Sequence, residues 1–307
     1  MFGILNINKA DGRTSRDEVN VVQRLTRPAK VGHAGTLDPM ATGVLLICVG
    51  PATRLISLLQ EAPKTYVAEF QFGQTSDTDD STGNVQALEQ VPVIDESAFT
   101  EALQEFVGEI SQVPPQFSAV KVNGERAYKK ARQGETMELK ARTVHVYSLS
   151  VLVFNWPTVM LKIECGSGTY IRSIARDLGE KLKCGGLMSA LERTSIGRMK
   201  SREGIRTEGL DAEALEANLL NPLVALEHLV HYTCDAKDVE ELKTGRQLRF
   251  DPNRIAPSMV GPDPTADQLN APICLVDSRA QNLLAMAEYR QAEGLLQPRN
   301  VFLKKDQ

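Results

Sequence analysis

The densest group of residues able to do chemistry is Gly32-His33-Ala34-Gly35-Thr36-Leu37-Asp38-Pro39. Glycine lets a backbone take strained turns and approach a ligand closely, and a carboxylate presented by such a loop can serve as nucleophile, base or acid. An aspartate before proline is more often a plain turn residue, so this loop alone leaves catalysis open. It lacks the Gly-Lys-Ser/Thr ending of a phosphate loop, which argues against a nucleoside triphosphate site. A second group is Gly168-Thr169-Tyr170-Ile171-Arg172. It falls where a predicted strand meets a predicted helix, a place from which Tyr170 and Arg172 could share one cavity. An arginine beside a carboxylate forms a charge-assisted pair and favours the ionised form. Tyr66, close after Lys64 at the head of a strand, reads as a core residue when taken by itself.

Other patterns fail on spacing. Asp77, Asp79 and Asp80 start like a calcium loop, but its sixth position is Thr82 and its twelfth Leu88, where glycine and glutamate are needed. His228 and His231 have no further metal-ligand pattern around them, and no nucleophile-elbow motif announces a serine hydrolase.

Several elements must position these residues. Gly3–Ile7 reads as a strand. Thr14-Ser15 caps a helix that carries Asp17 and Glu18 in its first turn and runs to about Thr26. Residues 31–42 read as a loop, Gly43–Val49 as a buried strand, Ala52–Gln60 as a short helix and Thr65–Phe72 as an alternating strand. Phe99, Leu103, Phe106 and Val107 have helical spacing. A hairpin is expected around Asn123-Gly124. Val144–Phe154 and Val159–Cys165 form a strand pair about Asn155-Trp156-Pro157, and a helix follows from about Tyr170 to Leu182. Short strands are expected at Ile273–Val276 and Leu283–Glu288. The expected class is α+β, with a first domain over 1–232 and a small β domain over 233–307.

At 307 residues, with 42% hydrophobic and 24% charged side chains, the composition is that of a globular protein rather than a disordered or collagenous one. No apolar run approaches a membrane span, no signal peptide is visible, and five scattered cysteines without a CxxC pair suit a reducing cytoplasm. The net charge of −4 hides segregation along the chain. Residues 77–120 hold nine acids and no base, whereas 121–142 hold seven Lys/Arg against three acids and 172–206 hold nine against four. A local basic face is therefore compatible with an acidic protein.

The order and spacing of the motifs say more than any one of them. Gly3-Ile4-Leu5 with Lys9, Gly12 and Thr14-Ser15 is followed by GHAGTLDPMATGVL from Gly32, KTYVAEFQFGQTSDTDDSTG from Lys64 and SGTYIRSIARDLGE from Ser167. Together they resemble the bacterial TruB family of tRNA pseudouridine-55 synthases over residues 1 to about 230. The C-terminal part resembles the family's small PUA-like RNA-binding domain more loosely, through Leu242-Lys243-Thr244-Gly245 and Pro298-Arg299-Asn300-Val301-Phe302. One departure is Ala10, where the family has proline after the lysine; it leaves the proposed chemistry untouched.

The resemblance implies the pseudouridine synthase fold, a mixed and largely antiparallel sheet flanked by helices. It implies an isomerase that acts on a flipped-out uridine of the tRNA T arm without metal or cofactor. Asp38 matches the nucleophile, Arg172 its partner and Tyr66 the tyrosine that stacks on the base and assists removal of the C5 proton. Tyr170 matches a hydrogen-bonding group, Leu191 an apolar wall, and His33 the side chain that fills the vacated place in the RNA. Arg54 and Asp80 are placed near the site by the same analogy. The expected partner is tRNA alone, with no membrane and no obligate protein partner, and the chain is expected to be a cytoplasmic monomer. Stretches 121–142 and 172–206 are the candidates for phosphate contact.

Overall fold

The computed structural model describes residues 1–118, 121–122, 125–126, 137–256 and 264–303. In the first part of the chain the strands are β1 (Gly3–Lys9), β2 (Val31–His33), β3 (Thr42–Val49), β4 (Lys64–Phe72), β5 (Gln74–Ser76), β6 (Val85–Ala87), β7 (Gly108–Gln112), β8 (Lys121–Val122), β9 (Glu125–Arg126), β10 (Arg142–Asn155), β11 (Thr158–Cys165), β12 (Gly186–Ile196) and β13 (Met199–Lys200). The rest are β14 (His231–Thr233), β15 (Leu248–Arg249), β16 (Ile273–Val276), β17 (Leu283–Arg290) and β18 (Leu295–Val301).

The large sheet runs β1-β3-β12-β4-β11-β10-β7, with β2 added to β3 and β13 to β12. Its pairings are antiparallel except where β12 runs parallel to β3. A smaller sheet runs β14-β16-β17-β18-β15. The molecule is thus α+β, with a mixed sheet followed by a compact β unit, as the sequence implies. β8 and β9 pair about the expected hairpin, whose turn lies outside the described residues, as does much of the basic stretch 121–142.

Alternation in β4 buries Lys64, Tyr66, Ala68, Phe70 and Phe72 on one face. That face receives Val19 and Val22 from the helix Ser15–Thr26 and Ile174, Ala175 and Leu178 from the helix Ile171–Lys181. The first helix starts where sequence chemistry requires. Thr14 accepts from the Asp17 amide while the Asp17 carboxylate accepts from the Thr14 amide, a reciprocal capping box. β3 is buried on both sides. Leu45, Ile47 and Val49 enter the core under the helices, whereas Val44, Leu46 and Cys48 meet Cys274, Val276, Leu283 and Met286 of the small sheet. That double burial is why β3 is an unbroken apolar run rather than an alternating one. It also fastens the small sheet to the back of the strand that leads out of the aspartate loop.

The structure amends some boundaries. Residues 31–33 form the short strand β2 rather than loop, and the segment expected as a helix over 52–60 begins as a 3₁₀ turn, Gly50–Leu55, before α-helix Ile56–Glu61. The helix Glu96–Gln104 stops before Phe106, although Phe106 still packs on the core.

Candidate active site

The aspartate loop is gripped at several points. Ser15 Oγ donates to the Leu37 carbonyl (3.0 Å) and accepts from the Leu37 amide (2.8 Å). Lys9, fully buried, donates from Nζ to the carbonyls of Ala10 (2.8 Å), Arg13 (2.6 Å) and Pro39 (2.9 Å). The Ala41 amide closes the turn onto the Asp38 carbonyl at 3.1 Å. Asp38 therefore stands on a backbone with little freedom, the condition for precise presentation of a reacting group.

Its carboxylate meets Arg172, at the first turn of the helix Ile171–Lys181. Nε lies 3.0 Å from Oδ2 and Nη2 3.3 Å from Oδ1, a two-point contact. Arg172 is itself buried and held by the carbonyls of Thr78 (2.9 Å) and Phe117 (3.1 Å) and by Asp80 Oδ2 (3.2 Å). Asp80 in turn accepts from the Thr78 hydroxyl (2.8 Å) and from the Thr82 amide (2.9 Å) and hydroxyl (2.5 Å). Burial pushes the Asp38 carboxyl above its ordinary range, Arg172 opposes this, and the nearby Asp80 charge adds to it. Arg172 thus limits the rise without reversing it.

Asp38 opens on a cleft of about 300 Å³ whose walls include Lys64, Tyr66, Tyr170, Arg172, Leu191 and Arg193. The volume is at the small end for ligand pockets and suits one nucleotide-sized group. Tyr66 is buried, and that burial raises its phenol, which stays protonated at neutral pH. The backbone of Tyr170 is clasped by Gln112, whose Oε1 accepts from the amide (2.8 Å) and whose Nε2 donates to the carbonyl (3.0 Å). The Arg142 guanidinium lies 4.7 Å from the Tyr170 ring centroid. Burial lowers Lys64 to about 8, with Nζ turned onto the carbonyls of Gln60 and Ala62.

Asp38, Tyr66, Tyr170, Leu191 and Arg172 therefore share one cleft. Asp80 sits behind Arg172 as an anchor. His33 lies on β2, half-buried and off the cleft wall, with burial pushing its imidazole down and so neutral at pH 7. Arg54 is elsewhere. Its Nη2 donates to the Val301 carbonyl (2.9 Å) and its guanidinium covers the Phe302 ring, so it ties the 3₁₀ turn to the small sheet. Part of the basic stretch 172–206 serves the fold: Arg172 and Arg193 are buried and Arg176 pairs with Asp79 and Asp177, while Lys181 and Arg198 make surface pairs with Glu105 and Glu227 and Lys200, Arg202 and Arg206 are exposed. Arg193, Lys9 and Ser15 are the site residues to which sequence reasoning assigned no role. The usable signal for Arg193 was its position two residues after Leu191, on the same side of a strand.

Comparison with known proteins agrees with this geometry. The model of the TruB family pseudouridylate synthase N-terminal domain matches residues 23–171, and that of the tRNA pseudouridylate synthase B C-terminal domain matches 172–231. The tRNA pseudouridine synthase B of Clostridium acetobutylicum is 43% identical over 245 residues, 80% of this chain and 84% of that protein. The chain belongs to the TruB family of pseudouridylate synthases. A second TruB relative, the tRNA pseudouridine synthase B of Dehalococcoides mccartyi strain 195, is 38% identical over 99% of this chain and 97% of its own length, so the likeness extends through the small sheet. Among solved structures, a Cbf5–Nop10–Gar1 complex contains a chain that superposes with a TM-score of 0.75 at 25% identity, covering 99% of this chain and 86% of that one. The TruB-type fold is thereby established for both sheets.

Proposed function

We propose that this chain converts uridine 55 in the T arm of tRNA to pseudouridine, with Asp38 as the nucleophile on a uridine turned out of the RNA stack. The observation that carries this reading is the carboxylate of Asp38, fixed on a rigid loop, paired side-on with a buried arginine and facing a nucleotide-sized cleft. The reaction breaks N1–C1′ and makes C5–C1′; C5 loses a proton and N1 gains one. Atoms and oxidation state are conserved, so the chemistry calls for no redox cofactor or group donor. Asp38 attacks the nucleotide and frees the ring, and Arg172 keeps the carboxylate charged against the cost of burial. The Tyr66 ring supports the base and assists removal of the C5 proton, and Leu191 closes the apolar side. Tyr170 supplies a polar contact. Unstacking the uridine costs a few kcal/mol, and His33, neutral and flat, fills the space left in the loop.

Recognition by shape and backbone suits such a substrate better than groove reading. The small sheet, whose first strand β14 begins at His231, two residues before the expected division at 232/233, acts in this reading as a PUA-like RNA-binding unit beside the catalytic domain, and the enzyme acts as a cytoplasmic monomer without membrane attachment. Among the described residues no helix is long and apolar enough to cross a membrane. The test is incubation with an unmodified tRNA transcript, followed by carbodiimide treatment and primer extension. One new stop, at position 55, is expected. A stop elsewhere overturns the substrate assignment, and no stop overturns the activity.

A further inference from the structure

Arg193 has no part in the scheme above, yet among the described residues it is the largest fully buried side chain, at 1% exposure. Its Nε donates to the Val44 carbonyl (2.7 Å), Nη2 to Gly35 (3.1 Å) and Nη1 to Thr36 (3.4 Å), and Arg193 stands directly opposite Tyr66 in the β12–β4 pairing. None of these partners is charged. A guanidinium buried among neutral acceptors is costly unless something nearby uses its charge. β12 is built to bring it there. Arg193 sits opposite Gly43 in the parallel β3–β12 pairing, and a Cβ on Gly43 (φ +96°) would fall 2.2 Å from the Arg193 carbonyl oxygen. Only glycine admits that approach.

The charges around Asp38 supply the use. From the helix Ile171–Lys181 comes Arg172, from the segment before β6 Asp80, from β1 Lys9, and from β12 Arg193. Lys9 is itself faced by Glu18, Asp11 and Arg13, while Arg193 also faces Lys64, Tyr66, Cys165 and His33. Arg172 is shared between two carboxylates, Asp38 and Asp80, so one positive charge answers two negative ones. Arg193 is a further buried cation lining the same cleft.

We propose that Arg193 is a positioning residue for the isomerisation: it holds the Gly35–Thr36 side of the aspartate loop, packs beside Tyr66, and adds a third buried positive charge, after Arg172 and Lys9, on the side of the ionised Asp38. The inference rests on the uridine-isomerase reading. Lysine would keep the charge but not the planar fork that reaches three carbonyls.

The test uses the full chain and measures the single-turnover rate constant against pH for wild type, Arg193→Gln and Arg193→Lys, with tRNA affinity and thermal melting alongside. Wild-type turnover is the control for the reading beneath; if it is absent, that reading fails and not this one. With an active wild type, Arg193→Gln should lower the plateau rate at least about a hundredfold and move the acid limb to higher pH, with tRNA affinity within about threefold. Arg193→Lys should return the limb to its wild-type position while the plateau stays depressed. An acid limb that stays put in Arg193→Gln overturns the proposal, since a purely structural residue would change the rate without moving the limb. Failure of both variants to fold while Asp38→Asn folds overturns it as well, because packing would then account for the residue.

Discussion

Replacing Asp80 by asparagine separates charge from geometry at the site. The Asp80 and Asp38 carboxylates contact the same guanidinium at 3.2 and 3.0 Å, which places the two charges about 6 Å apart. At an effective dielectric constant of about 20, their repulsion is about 3 kcal/mol. The Asp38 side chain is 34% exposed at the cleft mouth, and solvent screening there reduces the effect by about half. The sign follows from the direction of the effect. Asp80 raises the Asp38 carboxyl, so neutralising it lowers that pKa, and the acid limb of the single-turnover rate moves to lower pH. At neutral pH, by contrast, the rate should fall about tenfold, because Arg172 loses its charged anchor and Asp38 some of its alignment. The assay is quenched-flow turnover of tRNA from pH 4.5 to 8 with enzyme in excess. A limb that moves to higher pH, or not at all, would refute the reasoning, since Asp38 would then not be the group whose ionisation gates the reaction.

Three further outcomes are expected. Arg172→Met leaves the Asp38 and Asp80 carboxylates without their shared cation and should cost about 3–5 kcal/mol in urea denaturation along with activity; a loss under about 1 kcal/mol contradicts the buried network. Thr14→Ala removes the reciprocal cap of the helix Ser15–Thr26 and should cost about 1 kcal/mol while leaving the single-turnover rate within about twofold. Affinity for tRNA should fall at least about tenfold between 50 and 200 mM salt if phosphate contacts dominate, and a flat response in a filter-binding titration would rule that out.

The legible parts of the fold are those where one physical rule governs. β4 alternates cleanly because one face is core and the other is not, and the Thr14 capping box marks a helix start whatever surrounds it. β12, in contrast, was hidden although it sits between β3 and β4 at the centre of the sheet. Its register slips between Met188 and Ala190 and again between Arg193 and Ser195, so the period of two is lost. Its arginine looked like part of a basic surface stretch but is the most deeply placed cation of the cleft. At the site, Asp38 and Arg172 are 134 residues apart in sequence, and no local pattern ties them together; only motif order, through family resemblance, paired them. Resemblance also drew Arg54 toward the site, whereas cation–π packing on Phe302 holds it at the seam between the two sheets.

The central claim is that Asp38 breaks and remakes a bond to uridine rather than merely lining an RNA-binding groove. The most direct measurement is tritium release from a tRNA transcript labelled at uracil C5, comparing wild type with Asp38→Asn at matched tRNA occupancy. The account predicts stoichiometric release from one T-loop uridine by wild type. It predicts none from Asp38→Asn, which should still bind tRNA within about tenfold, because the amide keeps the shape and loses the nucleophile. Release by Asp38→Asn, or tight binding without release by wild type, would contradict it.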